Sequence, residues 1–483
     1  LLVGGSGYHR DELYFLEASK HLAWGYVDQP PVSVALVGLS RALFGDAMVG
    51  LRVFPALADA ATVFLTALIA RELGGQRFAQ TLAALAVALS PFLIAGHLAG
   101  PTIYDLTAWS LVSWLVIRIV RTGAERLWLA VGLVVGVALL TKETILFLAG
   151  GLVVGSLANR QGRFLRSPWL WLGAAIALLF WMPNLVWQAQ HGWPTIEMSR
   201  NLQREHSGVG YAASFVAIQL LLPGWWAAPV WIAGLWSLWR EDRFRSYRAF
   251  AVAYALLFVL LLVFVGDRPY YLAGLYPTLL AAGSVITSGV VAGGRRFLSV
   301  RPPRRRILWR SSGAAFVWVL VLGVLSLPLS LPILPARVLA TVPLQHLNYN
   351  LGEVVGWPQL TARVASVYRS LPGAERAVAA VVTENYGEAG AIDRYGPPLG
   401  LPGAFSGHNS YWWWGPPAPA RGVTIAIGFE PDDLTPYFRT VRIAGRFRSP
   451  YGIDNDEDGT SILVCTGQRA PWPSIWRDFR HYG

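Results

Sequence analysis

The chain has 483 residues, 54% of them hydrophobic against 14% charged, and a mean hydropathy of +0.43. That is too apolar for an ordinary soluble domain of this length. Forty Lys and Arg against 28 Asp and Glu leave a net charge of +12, and Cys465, the single cysteine, excludes an intrachain disulfide and a thiolate zinc site built from this chain alone.

Residues 1–50 precede the first long apolar run. In DELYFLEASKHLAWG the positions Leu13, Leu16, Ala18 and Leu22 fall at helical spacing, and VSVALVGLSRALFG is an apolar helix of about 14 residues, too short to span. Both are expected to lie at the membrane surface. Between them runs Gly25-Tyr26-Val27-Asp28-Gln29-Pro30-Pro31, where the paired prolines enforce an extended turn.

Ten stretches then approach the roughly 20 residues needed to cross the hydrocarbon. They lie near 51–70, 78–97, 102–120, 127–141, 144–158, 168–187, 216–239, 249–266, 270–292 and 312–333. Two are short, and Pro223 and Gly224 interrupt the seventh, which predicts a kinked or interfacial helix there. No signal peptide is visible ahead of the first loop, so an upstream span is expected to have carried that loop across, for a total of eleven.

After Pro335 the composition turns to thirteen acidic and thirteen basic residues. Residues 377–383, 423–428, 441–447 and 461–465 read as strands, and 387–395 and 431–438 as helices. The expected architecture is a polytopic α-helical membrane protein with a surface loop at 1–50, a transmembrane catalytic domain at 51–334 and a small extracytoplasmic α/β domain at 335–483.

Charge placement sets the orientation. One set of alternate loops before residue 335 holds nineteen Lys and Arg, seven of them between Arg295 and Arg310, and the other side holds eight. The nineteen-residue side is expected to be cytoplasmic. The run RRFLSVRPPRRRILWR then reads as a topology anchor near anionic lipid, not as a nucleic-acid patch. Ten of the fifteen acids before residue 335 lie on the opposite side, which places the expected chemistry there.

Acids beside hydrocarbon require a reason. Asp11 and Glu12 begin a helix, where a carboxylate can cap free N–H groups or do chemistry. Asp105, in HLAGPTIYDLTAW, carries the same two readings. Lys142, one of two lysines in the chain, sits between apolar runs in LLTKETILF and either snorkels or holds an anion. Residues 454–465 begin as D-x-D-x-D-G, yet Cys465 occupies the twelfth place where calcium needs a bidentate Glu, so a solvated acidic turn is expected. Tyr411, Trp412, Trp413 and Trp414, after His408 and Asn409, either stack on sugar or plug the domain against the membrane. His97, His191, His206 and His408 show no metal-ligand pair at helical spacing.

Taken together, the acidic first loop, GYVDQPPV, the Asp at the start of a later span, LLTKE, PNLVWQAQHGWP and DRPYYLAGLYP resemble polytopic GT-C glycosyltransferases. The likeness is to the bacterial dolichyl-phosphate-mannose protein mannosyltransferase-like group and, further, to lipid A aminoarabinose transferase. It covers most of the first 290 residues.

The resemblance implies transfer of a sugar from a polyprenyl-phosphate donor in the membrane lipid to a glycan, lipid or protein acceptor on the outer face, with inversion. By position it implies Asp11, with Glu12 beside it, and Asp105 as the catalytic acids. Lys142 and Arg268 are implied at the donor phosphate. A divalent metal ion, where one is used, has Asp28 and His206 as its candidate ligands. Tyr26, Gln29, Tyr270, His408 and Asn409 are the candidate substrate or acceptor contacts. Gln29 and Arg268 stand where some relatives have lysine. The residue chemistry agrees, since a nucleophile attacking an anomeric carbon needs a base and a leaving phosphate needs a cation. The alternatives are a transporter or flippase of a lipid-linked sugar and a sugar-binding sensor.

Overall fold

The computed structural model describes residues 7–91, 96–205, 209–264, 268–292, 312–418 and 422–483. Helices α1 (Arg10–Ala18) and α2 (Val32–Phe44) occupy the first loop. There follow α3 (Val53–Glu72), α4 (Arg77–Ala88), α5 (Pro101–Thr122), α6 (Leu127–Leu139), α7 (Ile145–Ala158) and α8 (Pro168–Gln190). Next come α9 (Pro194–Glu205), α10 (Val209–Leu221), α11 (Ala228–Arg240), α12 (Arg248–Phe264), α13 (Tyr276–Ala292) and α14 (Ser312–Ser330).

Among the described residues five helices are long and apolar enough to cross a membrane: Met48–Glu72, Pro101–Thr122, Pro168–Gln190, Asp242–Val263 and Gly313–Ser330. The expected break at Pro223 and Gly224 is present as a 73° bend between Ala212–Leu221 and Trp225–Arg240, and counting that pair as one span gives six. Three further expected stretches carry the shorter apolar helices Arg77–Ala88, Leu127–Leu139 and Ile145–Ala158. Helices α4, α6 and α7 run only 12 to 14 residues, and the polar turn around Lys142 ends α6 and precedes α7. The basic run at 295–310 lies outside the described residues.

The C-terminal part carries α15 (Trp357–Ser370), α16 (Tyr386–Tyr395) and five strands: β1 (Ala380–Thr383), β2 (Ala404–Ser406), β3 (Thr424–Ile427), β4 (Phe438–Arg446) and β5 (Ser461–Gln468). The strand order is β2-β1-β3-β5-β4, with β1 parallel to both neighbours and β5 antiparallel to β3 and β4. Strand β2 and helix α15 were not anticipated from the sequence.

The hydrophobic core divides in an unexpected way. One cluster fills the helical bundle. A second joins Tyr8, Leu13, Tyr14, Leu16 and Val34 of the first loop to Trp357, Leu360, Ile392, Ile425 and Ile462 of the C-terminal part. A third lies on the far face of the sheet. Helix α1 thus packs on α16, close enough that a Cβ on Gly390 would come within 2.9 Å of the Leu13 side chain and backbone. The first loop is packed against the C-terminal fold.

Candidate active site

Helix α1 starts from a capping box. The His9 ring accepts from the Asp11 N–H, and the Glu12 carboxylate accepts from the His9 N–H at 3.0 Å. The two acids that the sequence left equivalent are thereby separated. Glu12 is fully buried and takes two further bonds from Arg52, at 2.8 and 2.6 Å, and one from the Ala99 N–H at 3.0 Å. Burial opposes its ionisation, but the Arg52 charge and these donors outweigh it and hold the carboxyl below its usual range. Its lone pairs are spent on bracing the loop, so its expected place among the catalytic acids is corrected. Asp11 is half-exposed at 48%. Its Oδ1 accepts a 2.9 Å bond from the Tyr386 phenol, and Arg10 Nε lies 4.0 Å away.

The GYVDQPP segment is threaded between α8 and the C-terminal part. Asn184 donates to the Trp24 carbonyl, Gln188 to the Tyr26 carbonyl and Thr195 to the Val27 carbonyl, while Ser410 Oγ accepts from the Val27 N–H. A Cβ on Gly25 would fall 2.8 Å from the Asn184 amide, so this approach requires glycine. PNLVWQAQHGWP, one of the motifs behind the resemblance, is therefore a clamp on the loop backbone. Tyr26 is corrected from substrate contact to structural residue: it is buried, and its hydroxyl donates to the His21 carbonyl.

Asp28 accepts a 2.7 Å bond from the Tyr14 phenol. Burial pushes its carboxyl up to about 7, against the opposing pull of the Tyr14 bond. The Gln29 amide is buried with neither polar atom hydrogen-bonded within the described structure. His206 lies outside the described residues, and among those described no three His, Cys, Asp or Glu side chains converge as a metal site. With the Asp28 carboxyl engaged by a phenol, the described donors do not fit a bound ion.

The cationic groups stand at the turn between α6 and α7 and beside Pro269–Leu275. The N–H of Val32, just past the paired prolines, donates to the Leu140 carbonyl at 2.8 Å and holds the loop beside Lys142. Lys142 Nζ lies 4.7 Å from the Tyr270 ring centre and 5.2 Å from that of Tyr271, and it reaches Thr102 at 3.5 Å. Among the described residues it forms no ion pair with Glu143. Arg268 donates to the Tyr271 hydroxyl and lies over its ring. Asp105 does not cap α5, which has no side-chain cap; it accepts from Trp109 at 3.0 Å and Thr144 at 2.6 Å. Electrostatic interactions link Asp105 to Lys142, and Tyr270 to Lys142, Arg268 and Asp11.

His408 and Asn409 are corrected in the same sense as Tyr26. His408 is buried, its Nε2 is 2.7 Å from the Gly483 carbonyl oxygen, and burial pushes its imidazole down to about 3. Asn409 is buried at φ 49° and accepts from the Gly483 N–H. The aromatic run plugs the C-terminal part onto the first loop: Tyr411 donates to Asp393, and Trp414 stacks on His21 at 4.5 Å. Residues 454–458 are a turn as expected but are only partly solvated, since Asp456 pairs with Arg10 at 2.6 Å and Glu457 is buried. Sequence reasoning missed Tyr386, Tyr271 and Thr144. Tyr386 had no local signal, because it meets Asp11 across 375 residues.

Comparison with known proteins gives a consistent picture. The family described as dolichyl-phosphate-mannose-protein mannosyltransferase matches residues 28–187. Two undecaprenyl phosphate-alpha-4-amino-4-deoxy-L-arabinose arabinosyl transferases of Pseudomonas fluorescens are 27% and 26% identical to it, covering 57% and 56% of this chain. The matched segment spans about half the length of these curated relatives, 52% and 50%. The crystal structure of ArnT from Cupriavidus metallidurans bound to undecaprenyl phosphate superposes with a TM-score of 0.60 at 17% identity, covering 96% of this chain and 95% of that one. With its apolar spans and its C-terminal sheet, the chain is an integral membrane protein that shares the GT-C fold of that structure.

Proposed function

We propose that this protein is a glycosyltransferase that moves a sugar from a polyprenyl-phosphate donor to an acceptor on the extracytoplasmic face of a bacterial inner membrane. The observation that carries the reading is the half-exposed Asp11 carboxylate, linked electrostatically to Tyr270, whose ring lies 4.7 Å from Lys142 Nζ. Asp11 Oδ1 is occupied by Tyr386, which leaves Oδ2 to take the proton of the acceptor nucleophile. As that nucleophile attacks the anomeric carbon, the bond from this carbon to the phosphate oxygen breaks, and the polyprenyl phosphate departs with the electron pair. Lys142 and Arg268 stabilise the charge on that phosphate. Asp105, tethered by Trp109 and Thr144, holds Lys142 in place. The nineteen-to-eight division of basic residues supports the orientation, and residues 1–50, 51–334 and 335–483 serve as entrance loop, membrane domain and outer domain.

The test uses full-length protein in lipid nanodiscs, a panel of undecaprenyl-phosphate-linked pentoses and hexoses, and envelope lipid and glycan extract as acceptor. One donor should be consumed with a new glycosidic product. Asp11→Asn, which keeps shape and helix-terminal bonding, should lower turnover by roughly 10² to 10⁴. Near-normal turnover in that variant, or sugar-lipid crossing vesicles without any product, would overturn the assignment.

A further inference from the structure

We infer that the C-terminal part completes the active site through Tyr386, a positioning residue for Asp11; the inference rests on the reading of Asp11 as the base. Tyr386 is the first residue of α16, and the capping box of Asn385 with Glu388 fixes where that helix begins. Its phenol donates to Asp11 Oδ1 at 2.9 Å, and its ring lies 4.8 Å from Tyr14 and beneath the Arg10 guanidinium at 5.3 Å.

The contact is built in from both sides. Arg10 pairs with Asp456 at 2.6 Å, the His9 ring meets Asn350 at 3.1 Å, and the Gly7 N–H donates to the Val354 carbonyl at 2.8 Å. A Cβ on Gly387 would come within 3.0 Å of Arg10 Cβ, so the start of α16 sits directly against the residue before Asp11. An exposed carboxylate on a surface helix would sample several rotamers, and one fixed bond to Oδ1 selects the rotamer that presents Oδ2. The outer domain accordingly aims the base and does not merely cover it.

The decisive comparison is among the parent, Tyr386→Phe, Asp11→Asn and the double variant, in the nanodisc transfer assay with the donor that the parent consumes. Phenylalanine keeps the ring contacts with Tyr14 and Arg10 and removes only the hydroxyl. We expect kcat to fall roughly 10-fold, the donor KM to change less than about two-fold because Lys142 and Arg268 are untouched, and the melting temperature to hold. The double variant should be no slower than Asp11→Asn alone, since Tyr386 acts through Asp11. Unchanged kcat in Tyr386→Phe, or a joint loss of kcat, KM and melting temperature, would overturn the inference while the base reading stands. Near-normal turnover in Asp11→Asn, or no donor consumed by the parent, would remove both.

Discussion

Replacing Glu12 by Gln separates a brace from a catalyst. The Glu12 carboxylate is fully buried and accepts four hydrogen bonds, two of them from an Arg52 side chain that is itself only 6% exposed. The amide of Gln presents one acceptor oxygen and turns an NH2 group toward donors that already fill the site. Arg52 is left as a buried cation without its counter-charge. Breaking one partner of a buried pair costs about 3–5 kcal/mol, which for a chain of this size amounts to a fall of roughly 3–5 °C in melting temperature. Tryptophan fluorescence during heating of the purified protein in nanodiscs reads this directly. Transfer activity, normalised to the folded fraction well below the transition, should stay within a few-fold of the parent. An unchanged melting temperature with turnover abolished would refute the reasoning and return Glu12 to the chemistry.

Lys142→Met keeps most of the apolar stem and removes the charge. Donor KM should rise and kcat should fall, together costing at least about 10²-fold in kcat/KM, with little change in melting temperature, because among the described residues the lysine makes ring contacts and no ion pair; retention of transfer with lost stability would assign it to packing. Asp28 gives a pH signature: its carboxyl is pushed up to about 7 by burial in the folded protein against an ordinary value near 4. The folded state therefore holds a proton that the unfolded chain has released, and the stability tied to it is full at low pH, declines as pH rises toward 7 and is gone above it. Asp28→Asn should flatten this part of the decline between pH 5 and 8, and parallel melting curves for parent and variant would count against the buried carboxyl.

The membrane character, the broken seventh span and most of the strands could be read from the sequence because they depend on local composition and periodicity. The roles of individual acids could not. Asp11 and Glu12 are adjacent, equally placed at a helix start, and only the arrival of Arg52 and Ala99 at one and Tyr386 at the other tells them apart. Tyr26, His408 and Asn409 carried the chemistry of binding residues, yet each meets backbone groups, Tyr26 at His21 and Ala23 within its own loop and the other two at Gly483. The two short stretches beside Lys142 are matched by α6 and α7, whereas the stretch expected over 78–97 is helical in α4 only to Ala88, a stop that apolarity alone does not report. The clamp of Asn184, Gln188 and Thr195 was visible as a motif, but its object, the GYVDQPP backbone, was not.

The core shared between residues 8–51 and residues 357–464 constrains how the molecule is made. During synthesis the first loop is finished more than 300 residues before α15 and α16 exist, and at 5–20 residues per second the ribosome needs roughly 20–60 s to supply them. Through that interval Leu13, Tyr14, Phe15 and Leu16 have no partner to cover them, so nascent chains stalled before residue 357 present a greasy, protease-sensitive flap. Quality control of this protein thus waits on the synthesis of residues 357–464, which close over residues 8–51.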